Sequence, residues 1–123
     1  MIRNVAALLA ALALATAACS PGKAEPVDLS RGDPVAGEAV YDARCAACHG
    51  PAGTGSAQGP PLVHEYYLPG HHDDIAFLLA VRNGVRAHHW GFGPMPAING
   101  VSDADVADIV AYVRALQQQA GLL

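Results

Sequence analysis

The chain has 123 residues, with seven basic side chains against eleven acidic ones and a formal net charge of −4 at neutral pH. This length allows one small domain rather than two. The negative balance disfavours nucleic-acid binding, which calls for a basic face.

The N-terminus has the pattern of an export signal. Arg3 precedes an unbroken apolar run over residues 5–15, and small residues follow. This predicts a secretory signal peptide over residues 1–18, too short to span a bilayer.

The small residues lead directly into Cys19, as in the lipobox of bacterial lipoproteins, although Thr16 stands where that motif usually has leucine. We therefore expect an exported protein on the periplasmic side of a bacterial membrane, held to the membrane surface by lipid on Cys19. The alternative is ordinary cleavage before this cysteine, which would leave it as a free thiol.

A tether is expected between the signal peptide and the folded domain. Residues 19–30 contain proline, glycine and polar side chains without periodicity, which is typical of a flexible linker. The folded domain is then expected over residues 31–123. A domain of this size has a marginal core unless something else contributes buried area.

Two helices are predicted at the ends of this domain. Asp33 and Pro34 form a helix start, with the aspartate as N-cap and the proline at the first helical position. Gly37 lies on the same face as Tyr41, and a glycine inside a helix suggests that another backbone crosses closely there. The expected partner is a terminal helix capped by Ser102. Its apolar stripe comprises Val106, Ile109, Val110, Val113 and Leu116.

A third helix is predicted between these two. Residues 73–82 are apolar on most sides, so we expect this helix to be largely buried, and Asn83 with Gly84 is a helix-ending signal. A glycine-rich loop over residues 50–59 precedes it, and residues 86–100 show no regular period. No segment has the pattern of a strand, so the predicted fold class is all-α.

Cys45, Cys48 and His49 form the motif that carries the chemistry. Two thiols separated by two residues, with an imidazole directly after the second, are the attachment signature of c-type haem. The thiols would bond one haem c per chain and His49 would lie beneath the iron. Two alternatives stay open: a redox disulfide, and a zinc or copper site built on these cysteines and the spare histidines. Export favours haem, and the flanking residues lack the strands that a thioredoxin-like fold needs.

Met95 is the candidate for the second axial ligand of the haem iron. It is the only methionine besides Met1, which would leave with the signal peptide. A lone methionine is ordinarily a core gap-filler. Here Pro94 and Pro96 flank it in a glycine-rich loop, and their fixed φ angles lower the entropy cost of holding one sulfur in place. If Met95 only packs, the haem is five-coordinate, as in a sensor or peroxidase-like protein.

The order of these features resembles that of class I monohaem cytochromes c. The shared pattern, over about residues 33–118, is a helix, Cys-x-x-Cys-His, Gly-Pro-x-Leu, a buried helix, a Met-Pro loop and a terminal helix. The resemblance implies a small cytochrome c fold in which the N- and C-terminal helices cross around a covalently bound haem. It implies an electron carrier rather than an enzyme, which exchanges single electrons with redox partner proteins.

The resemblance also implies roles for single residues. The carbonyl of Pro60 would accept the proton on the second ring nitrogen of His49, which would fix the tautomer of that ligand. Trp90 or Arg86 would donate to a haem propionate.

Two features depart from the family's pattern. Mitochondrial-type members carry a ring of lysines around the exposed haem edge, whereas here the one lysine, Lys23, lies in the tether. The other departure is a pair of double histidines, at residues 71–72 and 88–89. Exposed loop histidines are the ordinary interpretation, but a copper or zinc ion would need only a few of them to converge.

Overall fold

The computed structural model describes residues 26–123, and the signal peptide, Cys19 and most of the predicted tether lie outside this range. Its four α-helices are α1 (Pro34–Arg44), α2 (Ala46–His49), α3 (Asp74–Asn83) and α4 (Asp103–Gln119). Single 3-10 turns lie at Leu29–Arg31, Pro51–Gly53 and Glu65–Tyr67. Within residues 26–123 there is no strand, and the one β-type contact is an isolated bridge between Val85 and Met95. The all-α prediction is confirmed.

None of the helices in residues 26–123 has the length and apolar character needed to cross a bilayer.

The packed structure begins before the predicted start of the domain. Val27 and Leu29 pack against a buried cluster formed by α3 and α4. Asp28 caps the first 3-10 turn by accepting a hydrogen bond from the backbone N–H of Ser30, at 3.1 Å. Apolar burial thus orders the last residues of the segment that the sequence assigns to the tether.

Helix α1 begins and crosses α4 as the sequence predicts. The Asp33 carboxylate accepts the backbone N–H of Val35 at 2.9 Å, and Pro34 is the first helical residue. A Cβ atom placed on Gly37 would lie 2.0 Å from the carbonyl oxygen of Asp108, so the two backbones touch at this point. One turn further along α1, the Tyr41 and Tyr112 rings pack with their centroids 5.4 Å apart.

Helix α4 supplies most of the core. Ser102 caps it through a reciprocal capping box with Asp105, in which each side chain binds the other residue's backbone N–H. The predicted stripe faces inward, and its buried members are Val106, Ile109, Val110 and Val113. At the crossing, the Asp108 carboxylate accepts the backbone N–H of Asp33 at 2.7 Å, which links the start of α1 to the middle of α4.

Helix α3 is less buried than the sequence suggests. Its predicted end is confirmed, since the helix stops at Gly84, and its N-cap is Asp73, whose carboxylate accepts the N–H of Ala76. However, only Leu78 and Val81 are buried, while Ile75 and Leu79 are 46% and 49% exposed. The expectation of a largely buried helix is therefore wrong. One face of α3 packs against α4, and among the described residues no helix covers the stripe through Ile75 and Leu79.

Two polar side chains of α4 fix the segment that leads into α3. The Arg114 guanidinium donates to the Asp74 carboxylate and to the backbone carbonyls of Tyr67 and His72. The fully buried Gln117 donates to the carbonyls of Leu62 and Tyr67, at 2.9 and 3.1 Å. Because buried carbonyls need donors, these two residues determine the path of residues 62–74.

The contact at Gly37 predicts a change in stability opposite in sign to the change that helix propensity predicts. Helix propensity alone would make Gly37→Ala stabilising by about 1 kcal/mol. The methyl group would overlap the Asp108 carbonyl, so we expect the free energy of unfolding to fall instead, by about 2–3 kcal/mol. The measurement is urea unfolding of the haem-loaded protein. Gly70→Ala is the matched control, since its Cβ would meet no atom within 4 Å. A Gly37→Ala protein as stable as the parent would show that the helices do not touch here.

Candidate haem-binding site

A mostly apolar cleft opens between the α1–α2 turn, helix α3 and the loop over residues 85–98. Its apolar walls include Leu62, Phe77, Ala80, Val81, Val85, Ile98 and Ile109. The fold also brings to this cleft every site residue that the sequence suggests, namely Cys45, Cys48, His49, Pro60, Arg86, Trp90 and Met95. Residues separated by up to fifty positions in the sequence thus line one cavity.

The two cysteines lie where α1 gives way to α2. Cys45 departs from helical geometry, with φ −120° and ψ −37°, and so ends α1 and begins the short helix that carries Cys48 and His49. The backbone N–H groups of these last two residues both donate to the Cys45 carbonyl, at 3.1 and 2.9 Å. Burial raises the pKa of the Cys45 thiol to about 11. Cys48 is exposed.

His49 is held by the loop that follows it. Its Nδ1 lies 2.9 Å from the carbonyl oxygen of Pro60. A carbonyl only accepts, so Nδ1 carries the proton and Nε2 keeps its lone pair for a metal. The loop returns tightly beside α2, because a Cβ on Gly59 would lie 2.8 Å from the Cys48 carbonyl oxygen. Gly50, at φ +74°, makes the turn that allows this return, and its carbonyl accepts the hydroxyl of the buried Tyr41 at 2.8 Å.

Met95 is fixed through its backbone. It exchanges two hydrogen bonds with Val85, each 2.9 Å long, and three residues later the N–H of Ile98 donates to the Val81 carbonyl at 2.8 Å. Gly84 permits this approach, since a Cβ there would lie 2.5 Å from the Met95 carbonyl oxygen. The sequence marks Gly84 only as a helix end, whereas the structure shows that it also seats the methionine loop against α3.

Trp90 contributes a buried polar atom without a partner. Within the described residues its indole Nε1 is the one buried side-chain nitrogen or oxygen that has no hydrogen-bond partner. Burial raises the pKa of Tyr67, and the indole N–H of Trp90 partly offsets that rise. The indole N–H nevertheless makes no hydrogen bond to Tyr67. An unpaired buried N–H costs about 1–3 kcal/mol, which favours an acceptor on a bound molecule.

The residues of the cleft fit a haem. Two thiols, an imidazole with a free Nε2 and a thioether provide the attachment and ligation chemistry, the walls are apolar, and the Trp90 N–H and the exposed Arg86 guanidinium suit carboxylates. Two further residues that line the cleft, Arg44 and Tyr67, were not predicted from the sequence. Arg44 donates to the Asn99 carbonyl at 2.9 Å, a contact between loops that no local pattern signals.

The alternative of a joint cysteine and histidine metal site finds no support in this geometry. Within residues 26–123, the group of side chains close enough to share a metal ion is His71, His72 and His89. Neither Cys45 nor Cys48 belongs to it.

Comparisons with known proteins agree with a haem-binding cleft. The family model described as Cytochrome c matches residues 34–117. Cytochrome c-555 of Chlorobaculum thiosulfatiphilum is 36% identical over 84 residues, which cover 66% of this chain and 93% of that protein. Cytochrome c6 of a Picosynechococcus species is 37% identical over 92 residues, covering 66% of this chain and 71% of that protein.

The family match spans the two crossing helices, the cysteine turn and the methionine loop. It assigns the attachment chemistry to Cys45 and Cys48, and it indicates an electron carrier rather than an enzyme. The chain therefore belongs to the cytochrome c family, as a class I monohaem electron carrier with a covalently attached haem c.

Proposed function

We propose that this cytochrome shuttles single electrons on the periplasmic side of a bacterial membrane, with His49 and Met95 as the axial ligands of its haem iron. The observation that carries the proposal is that these two residues line one cleft from separate segments, each with its backbone fixed. His49 is set by the Pro60 carbonyl, and Met95 by its pairing with Val85.

When bound, the haem supplies a one-electron Fe(III)/Fe(II) couple. His49 directs Nε2 into the cleft because its Nδ1–H is engaged by Pro60, and this hydrogen bond raises the basicity of the imidazole. Met95 offers a neutral sulfur, which favours Fe(II) over Fe(III) more than a second imidazole would. Because neither backbone segment needs to move, electron transfer requires little rearrangement of the protein.

The walls of the cleft affect the reduction potential, whereas its rim is the surface that a redox partner can contact. Leu62 and the other apolar wall residues exclude water, which disfavours the more highly charged ferric state and raises the reduction potential. At the rim, Cys48 is exposed and Phe92 is 40% exposed, so this edge is where a redox partner would approach. From residue 31 onward the chain has five arginines against nine acidic side chains. We therefore do not expect a redox partner that docks through an acidic face, because this protein has no strongly basic surface to receive it among residues 31–123.

The ligand assignment predicts opposite outcomes for two variants at Met95. Met95→His should keep a six-coordinate, low-spin haem and lower the reduction potential by on the order of 0.2 V, because imidazole stabilises Fe(III) better than thioether does. Met95→Ala should open the sixth position to carbon monoxide and cyanide. Both effects are measured by absorption spectroscopy and redox titration of the purified protein.

A neighbouring residue provides the control for these variants. Ile98 lines the same cleft and has no ligand atom, so Ile98→Val should leave the coordination number unchanged. If the parent protein already binds carbon monoxide readily, Met95 is not a ligand, and a five-coordinate sensor or peroxidase-like protein is favoured. A spectrum that Met95→Ala does not change would assign the sixth ligand to a histidine.

The buried indole N–H gives a prediction about pH. If Trp90 donates to an ionised propionate, Trp90→Phe removes that support and raises the pKa of the propionate. An ionised propionate favours Fe(III), so the potential falls as pH rises through this pKa. We expect the fall to move to higher pH by about one unit, in redox titrations over a pH series. Phe92→Leu, on the same cleft but without a polar atom, should cause no such shift, and an unshifted curve in Trp90→Phe would exclude the hydrogen bond.

Anchoring at Cys19 is proposed from the leader pattern, which lies outside the described residues. Two or more acyl chains would hold the protein stably on a membrane surface. Cys19→Ser should then move the cytochrome from the membrane pellet to the periplasmic fraction, with haem content and potential unchanged. Val5→Ala is a suitable control, since it keeps both the apolar run and Cys19. Recovery of the parent protein as a soluble species with a free thiol at Cys19 would contradict the anchor.

A further inference from the structure

Three histidines outside the proposed haem ligation converge at one end of the cleft. His71 and His72 lie just before α3, and His89 lies in the loop that follows α3. Each offers a ring nitrogen, and these three nitrogens all lie within 4.8 Å of one another. The fold thus brings both histidines of the first pair and one of the second into a single cluster, although fifteen residues lie between the two pairs in sequence.

The spacing of these nitrogens is near that of a metal centre. Nitrogens bound at 2.0–2.1 Å to a tetrahedral ion stand about 3.4 Å apart. The Nε2 atoms of His71 and His89 are 3.0 Å apart, where one ring donates its N–H to the other, and a metal ion would take the place of that proton. The remaining separations, up to 4.8 Å, would close by small side-chain rotations.

The hydrogen bonds of His72 prepare it as a ligand. Its Nδ1–H donates to the backbone carbonyl of Tyr66, which leaves the lone pair on Nε2. Metal-binding histidines typically have this arrangement, because the second hydrogen bond fixes the tautomer and the ring orientation. The backbone at this position is also held, since the His72 carbonyl accepts the Arg114 guanidinium at 2.9 Å.

A fourth histidine stands beside the cluster. The Nδ1 of His88 lies 2.9 Å from the Arg86 carbonyl, which likewise leaves Nε2 as an acceptor. The His88 ring centroid is 4.2 Å from that of His89 and 5.6 Å from that of His72. It is not in the group of ring nitrogens within 4.8 Å of one another, so its ring would have to rotate to fill a fourth position, which water would otherwise fill.

The chemistry of the donor set selects the kind of ion. Neither of the ion pairs found in residues 26–123 involves a histidine, and the nearby Asp74 carboxylate is engaged by Arg114. Neutral imidazoles without carboxylates suit copper and zinc, whereas calcium and magnesium need oxygen ligands. We propose that His71, His72 and His89 form a binding site for a divalent transition-metal ion at the rim of the haem cleft. By the general order of metal affinities, Cu²⁺ binds there more tightly than Zn²⁺. The site rests on the proposed ligation of the haem iron by His49 and Met95, which leaves these three histidines free to bind another ion.

The test is metal titration of the purified, haem-loaded protein. Copper sulfate and zinc sulfate are added separately, and bound metal is measured by equilibrium dialysis with elemental analysis. We expect one ion per chain, with copper bound more tightly than zinc. His71→Ala and His89→Ala should each weaken binding by more than about 100-fold, beyond the roughly tenfold to hundredfold cost of losing an outer partner. Electron paramagnetic resonance of the Cu²⁺ form should show splitting from several imidazole nitrogens.

Two controls keep the result interpretable. His64→Asn retains a side-chain acceptor for the N–H of Tyr66 and lies outside the cluster, so it should leave affinity unchanged. The haem absorption spectrum reports whether each variant has folded, and His89→Gln replaces His89→Ala if the latter does not. The proposal fails if neither metal binds, if binding is unchanged in the cluster variants, if His64→Asn abolishes it equally, or if the copper signal shows oxygen ligands alone.

Discussion

The close approach of α1 and α4 at Gly37 is the constraint on which the rest of the structure depends. Their backbones meet because position 37 has no side chain, and the carboxylate of Asp108 binds the N–H of Asp33 beside this contact. Tyr41 is then fully buried against Tyr112, with its hydroxyl on the Gly50 carbonyl. The crossing therefore sets where the cysteine turn leaves the core, and with it the floor of the haem cleft.

Features that depend on neighbouring residues could be predicted from the sequence. The caps at Asp33 and Ser102 are local hydrogen bonds, and the apolar stripe of α4 follows from helical period alone. The placement of Gly37 against a second helix could also be inferred, because a glycine within a helix is costly without such a contact.

Features that depend on contacts between residues far apart in the sequence could not be predicted. The exposure of Ile75 and Leu79 follows from which elements cover α3, and periodicity does not contain this information. The pairing of Val85 with Met95, and the approach of their loop to Gly84, join residues whose local sequence shows no strand pattern. The convergence of the histidines has the same origin, since it joins two segments that lie on either side of α3 in the sequence.

The crossing of the terminal helices also governs the order in which this chain can fold. The hydrogen bond between Asp33 and Asp108 spans 75 residues, and α4 supplies most of the buried core. Contacts of such long range form late, because the intervening loop must close first. In the chain the cysteine turn lies between the two crossing helices, so it is synthesised before α4, which completes the core. Until α4 packs, the core beside this turn is incomplete, and we expect haem attachment to Cys45 and Cys48 to precede that closure.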